Sequence, residues 1–279
     1  MVKFKQFTSS SITTAIFIII FIMIGINYCS ANNDTQNNYI NTAYRKLPNQ
    51  LGFYQHIKFI SDDNIDVDEI TLSGNYHATV FQQDAVNQDS AKSIAELTQQ
   101  LHYLIGINGG FYTPNFKPVG LFIIHRKMLQ HAAHDPLANT CIHVDEKGKL
   151  YLENKIDNCL NADYAMQTGP MLIKQGKINP QIETLSPQLL KLKSFFDPHY
   201  RTILALTQDK KLIIMVTSPA TLSQISNLLI NDPLAFGVKN IYTAIDLDGG
   251  VSTGMRINFE NNPFDFSEIR YVKTFVFFN

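Results

Sequence analysis

Two carboxylates one residue apart close an apolar run in "YTAIDLDGGVSTGM", residues 242–255. If that run is a strand, side-chain alternation puts Asp246 and Asp248 on one face, about 6.5–7 Å apart, with Leu247 turned into the core. Like charges that close require a cation, a basic neighbour or a shared proton. Acid–base chemistry and metal binding both exploit that requirement, and Asp246 is a candidate ligand for a divalent cation such as calcium. Gly249 and Gly250 allow a sharp bend or a close approach to a ligand, and Ser252 and Thr253 add hydroxyl groups. The plainer reading of the same residues is a solvated pair of aspartates at a strand end.

Three further clusters carry polar groups at strand ends. In "GINGGFYTPNFKPVGLFI", residues 106–123, an apolar run delivers Asn108, then Gly109 and Gly110, then Phe111 and Tyr112. An amide and backbone N–H groups beside an aromatic wall suit a sugar or another polar ligand. In "YAMQTGPMLIKQGKINP", residues 164–180, Gln167 and Thr168 precede Gly169-Pro170. In "HYRTILAL", Arg201 and Thr202 open a strand. An arginine there can grip a phosphate through two parallel hydrogen bonds, although a surface charge is the commoner role.

Other chemistries fit less well. His125, His131 and His134 lack an acid at zinc-site spacing, even with the last two on one helix face. There is no Gly-x-Ser-x-Gly elbow. The segment "AIDLDGG" resembles the nucleophile strand of haloacid-dehalogenase-type phosphatases, but Gly250 stands in place of the usual threonine and too little chain follows for their later catalytic residues. A calcium loop of EF-hand type lacks its third acid, and Ile257 occupies the closing position.

The elements that must position these groups follow from periodicity. Residues 54–61, 65–72 and 77–83 alternate like half-buried strands. "SAKSIAELTQQL" predicts a helix capped by Ser90, and "TLSQISNLLIND" one capped by Thr221 with Ile225, Leu228 and Leu229 inward. Hairpins are expected at "EKGK", "KQGK" and "QDKK", and a last strand at "RYVKTFVFF". The order predicts a single α+β domain, a mixed, largely antiparallel sheet packed by a few helices.

The chain has 279 residues and a net charge of −1, so neither nucleic acid nor an anionic membrane is an expected partner. Residues 1–31 have the form of a signal peptide: Lys3 and Lys5, an apolar run from Ala15 to Ile26, and small residues at Cys29 and Ala31. The run is shorter than the roughly 20 residues of a spanning helix, so a cleaved signal and a periplasmic or secreted product are expected, with no stable membrane span. The alternatives are an N-terminal membrane anchor and a lipid-modified Cys29. Residues 32–50, rich in Asn and Gln, are expected to be a flexible leader before a domain at 51–279. The two remaining cysteines, Cys141 and Cys159, are expected to form a disulfide, or else to be two buried thiols.

Taken in order, "NGGFY…PVGLFI", "QTGPMLIKQGKINP", "RTILAL" and "LDGGVST" resemble the phosphodiester glycosidase family over roughly residues 75–258. Its best-known member removes N-acetylglucosamine from phosphodiester-linked mannose, and its bacterial members are exported. Two positions depart from the animal pattern: Tyr112 replaces a phenylalanine and Val251 a glycine. The resemblance implies a carbohydrate or glycan phosphodiester as substrate. It assigns Arg201 to the phosphodiester and Asp248 to base or charge stabiliser, with Asp246 as its partner or as an ion ligand. Asn108, Thr168 and Ser252 would bind sugar hydroxyls or phosphate oxygens. Thr202, beside Arg201, would also contact the ligand, and Gly109, Gly110, Gly169, Gly249 and Gly250 would bring backbone close to it. The other outcome is an envelope protein that binds glycans without cutting them.

Overall fold

The computed structural model describes residues 38–60, 64–73, 75–183 and 197–279. Over these residues the strands form three sheets, and all paired neighbours are antiparallel. The largest runs in the order β1 (Tyr39–Lys46), β2 (Gly52–Phe59), β3 (Asp66–Leu72), β14 (Leu212–Ala220), β13 (His199–Leu206), β15 (Thr243–Asp246), β11 (Met171–Lys174) and β12 (Lys177–Ile178). A second joins β7 (Lys127–Gln130), β6 (Phe122–Ile124), β10 (Tyr164–Thr168), β8 (Thr140–Val144) and β9 (Leu150–Glu153). The third joins β17 (Phe264–Phe266), β16 (Met255–Ile257), β5 (Ile105–Asn108), β18 (Thr274–Phe278) and β4 (Ala78–Gln82). The helices are α1 (Ile94–Gln100), the short α2 (Pro180–Glu183) and α3 (Leu222–Asn231).

One mixed sheet was expected, and three antiparallel sheets are found. The reason lies in strands that are apolar on both faces. On β13 and β15, Leu204 and Ile245 enter a central core shared with Ile107, Met166 and Val276 of the other two sheets. Their neighbours Ile203, Ala205 and Ala244 enter a separate core beneath Ile225 and Leu229 of α3. A sheet with two apolar faces needs a layer on each, and the smaller sheets supply one of them. The fold remains sheet-dominated, with few helices.

The caps follow local chemistry. Thr221 caps α3 in a box with Gln224, as expected. For α1 the cap is Ser93 and not Ser90: Ser93 accepts from Glu96 N while the Glu96 side chain takes Ser93 N–H. Ser90 instead bonds Asn87 in a preceding 3₁₀ turn. A Glu three residues on gives Ser93 the reciprocal bond that Ser90 cannot form.

The expected leader at 32–50 is overturned where it is described. Tyr39–Lys46 is the outer strand β1, and Pro48–Gln50 forms a 3₁₀ turn. Its side chains are mostly exposed, so the strand is held by its ladder to β2, by Asn41 bonding Gln55, and by Arg45 lying 3.5 Å over the Phe259 ring. A strand held that way carries little apolar pattern. Residues 32–37 and the signal-like segment 1–31 lie outside the described residues. No helix among the described residues is long and apolar enough to cross a membrane. Cys141 and Cys159 form the expected disulfide beneath the second sheet, and closing a loop of this size contributes about 3 kcal/mol on the chain-entropy model.

Candidate active site

Four strand ends from all three sheets converge. β5 delivers Asn108, Gly109 and Gly110, and β10 delivers Thr168 and Gly169. β13 carries Arg201 near its start, and β15 ends at Asp246 and releases Asp248, Gly249 and Gly250. The register explains the meeting. Ile203 stands opposite Asp246, so Arg201, two residues earlier on the same face, is its diagonal neighbour.

Arg201 Nη1 lies 3.3 Å from Asp246 Oδ2, with the two side chains 1% and 0% exposed. The guanidinium also donates from Nε to Ala220 O at 3.1 Å and from Nη2 to Asp197 O at 2.9 Å. Asp246 Oδ1 is buried and has no hydrogen-bond partner among the described residues. Burial pushes the Asp246 carboxyl up to about 7, opposed by Arg201 and reinforced by the charge of Asp248. The need foreseen for two close aspartates is thus met by an arginine. A divalent ion at Asp246 would sit against the guanidinium, so these residues do not fit one. A nucleophilic Asp246 is equally misplaced, being fully buried and ion-paired.

Asp248 lies just past the end of β15 and not on the strand. It is half-buried, with the protein packed densely around the carboxyl while part of the residue meets solvent. Burial pushes its carboxyl up to about 7, opposed by the Ser252 hydroxyl and the Gly249 N–H, which bond it. Leu247 points into the central core, as alternation requires.

Asn108, Thr168 and Thr202 were expected on the ligand, but here they hold the turns. Asn108 is fully buried. Its Nδ2 donates to Asp248 O at 2.6 Å and Gly109 O at 3.2 Å. Its Oδ1 accepts from Thr202 Oγ1 at 2.7 Å and Gly254 N at 3.1 Å. That exhausts the amide. Thr168 Oγ1 donates to Asp246 O at 3.4 Å. The N–H groups of Gly109 and Gly110 also point inward, to Thr274 O and Met166 Sδ.

Two glycines are required by space. A Cβ at Gly249 would stand 2.9 Å from the backbone oxygen of Tyr200, closer than a side chain tolerates, whereas Arg201 Nη1 at 3.7 Å would be in ordinary contact. Gly169, at φ +142° before a cis proline, would bring a Cβ within 2.4 Å of Leu137 O.

Sequence reasoning passed over Tyr200, Asp265 and Phe266, which with Gly250 and Thr253 line a cavity of about 350 Å³. Only Tyr200 had a visible signal, as the neighbour of Arg201. Tyr112, expected in an aromatic wall, is tied to the same region: its hydroxyl donates to Tyr271 O at 3.2 Å, and it bonds Ser252.

The phosphodiester glycosidase family model matches residues 102–279, and the chain belongs to that family. Among solved structures it is similar to the catalytic domain of zebrafish N-acetylglucosamine-1-phosphodiester alpha-N-acetylglucosaminidase, there auto-inhibited by its pro-peptide. The TM-score is 0.60 at 17% identity, covering 86% of this chain and 87% of that one. A hypothetical protein from Synechocystis gives TM-score 0.61 at 13% identity, covering 81% of this chain, which in turn spans 62% of that protein's length. A protein of Burkholderia pseudomallei K96243 gives 0.51 at 10% identity, with 81% and 74% covered. At these identities the likenesses establish the fold. No curated protein matches the chain.

Proposed function

We propose that this chain is an exported hydrolase that cleaves a sugar from a sugar-1-phosphodiester or a related envelope glycan. The observation that carries the reading is the convergence of one buried guanidinium and two carboxyls around glycine turns. Water would add at the anomeric carbon, and the C–O bond to phosphate would break, leaving a free sugar and a phosphate monoester. The second pKa of that leaving group is about 6, so its protonation matters less than in ordinary glycoside hydrolysis. Two demands remain: a proton acceptor for the water and negative charge near the oxocarbenium-like centre.

Asp248 meets both, being solvent-accessible and tuned close to neutrality. Asp246 adds charge behind it, and Arg201 fixes Asp246 and supplies the positive field that a phosphate at the Gly249–Gly250 turn would meet. Ser252 orients the Asp248 carboxyl. Family membership supports a carbohydrate phosphodiester as substrate, and the disulfide suits an oxidising compartment.

The test is release of free sugar from a panel of sugar-1-phosphodiesters. Asp248→Asn should lower kcat/KM by about 10²–10⁴-fold, with the fold intact by circular dichroism. Full activity in that variant would remove Asp248 from the mechanism. The burial of both Arg201 and Asp246 favours a second reading, a glycan-binding protein without turnover. Glycan binding with no turnover on any phosphodiester would establish it.

A further inference from the structure

We propose that a cavity at the opposite end of β13 and β15 from Arg201 binds a small organic monoacid, a single carboxylate on an apolar body. The first sheet stops there at the β13–β14 turn, and the second stops at β9, whose outer edge no described strand pairs. Between them lies a space of about 350 Å³, in the range of small-molecule sites. Leu206 and Thr243, partners in the β13–β15 ladder, line it, whereas Asp246 stands three residues further along β15. At strand rise that separates the cavity from the candidate active site by roughly 10 Å. Leu150, Leu152 and Leu206 reach the cavity from the central core, and Tyr242 is exposed beside them. These side chains supply the surface for the ligand's apolar body.

One end of the cavity is cationic. Lys149 and Lys210 both line it, and among the described residues neither makes a salt bridge. Lys149 Nζ is placed 4.1 Å over the Tyr76 ring, which favours its charge and fixes its position. Burial, then the charge of Lys210, pulls the Lys149 ammonium below its ordinary value, against the attraction of Asp145. Two like charges this close are unfavourable until an anion joins them. The acids nearby are engaged elsewhere. Asp145 accepts the Lys147 and Lys149 N–H groups and the Tyr151 hydroxyl. Asp209 accepts the Thr207 hydroxyl and faces Lys211. The other end of the cavity is acidic: Glu153 lines it, four residues after Lys149 and about 13 Å away at strand rise. A second carboxylate on the ligand would meet Glu153, so the cavity suits a monoacid and not a diacid. This site owes nothing to the glycosidase reading.

The experiment is titration calorimetry of the full chain with three probes of equal length: octanoate, 1-octanol and octanedioate. Octanoate should bind about three- to tenfold more tightly than either of the others at low salt. Lys210→Gly should remove most of that advantage while Tm holds or rises, because Lys210 sits at φ +64°, where glycine costs less. Lys149→Met, which keeps an apolar stem against Tyr76, should weaken octanoate by about three- to tenfold and leave 1-octanol unchanged. Lysines with only a structural role would change Tm and leave the ranking of the probes intact. The site is overturned if octanoate binds no more tightly than 1-octanol, if octanedioate binds as well as octanoate, or if both lysine variants bind octanoate like wild type.

Discussion

Asp246 and Glu69 are two fully buried carboxyls on the same face of the same sheet, beneath the same helical layer. Each leaves one oxygen without a partner among the described residues. Glu69, on β3, receives the Thr71 hydroxyl and a bond from Gln55, but no cation pairs with it among the described residues. Burial pushes it up to about 8 against those two bonds. Asp246 has Arg201 at 3.3 Å, a second carboxyl beyond the strand end, and a turn that borders a cavity. Burial alone therefore makes a carboxyl costly, not functional. The difference comes from position: Glu69 lies in the run of its strand, while Asp246 stands where strands from other sheets also end.

The contrast is open to test, beginning with the largest effect. Arg201→Ala leaves a buried carboxylate unpaired and should cost about 3–5 kcal/mol of stability. Adding Asp246→Asn should restore most of it in urea unfolding without restoring sugar release. If the double variant is as unstable as the single, the pair is not the source of the cost.

Next comes the pH profile. Asp248 must be ionised to accept a proton, so kcat/KM should reach a plateau above about 7 and fall about tenfold per unit below it, roughly 100-fold at pH 5. A flat profile from pH 5 to 8 would exclude it as base.

The smallest effect belongs to Glu69. Its pKa is raised in the fold, so the protonated form is favoured there. Stability is greatest below the unfolded value near 4.5 and declines as pH rises toward about 8. Glu69→Gln should flatten the Tm-versus-pH curve over that window, by about 1–3 kcal/mol between pH 5 and 8, with sugar release unchanged. An unaltered slope would mean that Glu69 does not titrate there.

Much of this contrast was legible from sequence on one side only. The strand ends at Asn108, Thr168, Arg201 and Asp246 were visible because apolar runs stop at glycine or at charge, a local signal. The meeting of Arg201 with Asp246 depends on the antiparallel register of β13 with β15, which no local pattern states, so it could only be expected. Asn108 was misassigned to ligand because residue type shows what an amide can bond, not what the fold has already given it. Glu69 was overlooked within "IDVDEITL", where its charge suits the solvent face of a half-buried strand; both faces of β3 are in fact covered. β16 and β17 are three residues each, too short for alternation to register. β1 was lost because its side chains are mostly exposed, so no apolar pattern marks it.

The saturated amide of Asn108 has a consequence for durability. One side chain stitches the third sheet to the first, donating to Asp248 O and accepting from Thr202 Oγ1, and it also donates to Gly109 O within its own turn. It also begins an Asn-Gly step, the dipeptide whose side chain is most readily hydrolysed once the glycine nitrogen is free to attack. In the native state that nitrogen is held by Thr274 O at 2.7 Å. Each excursion to the unfolded chain exposes it, and conversion of the amide to a carboxylate would turn two attractions into repulsions at the seam of the active site. The molecule is thus chemically safe only while folded, and repeated heating should leave a growing fraction that cannot close that seam again.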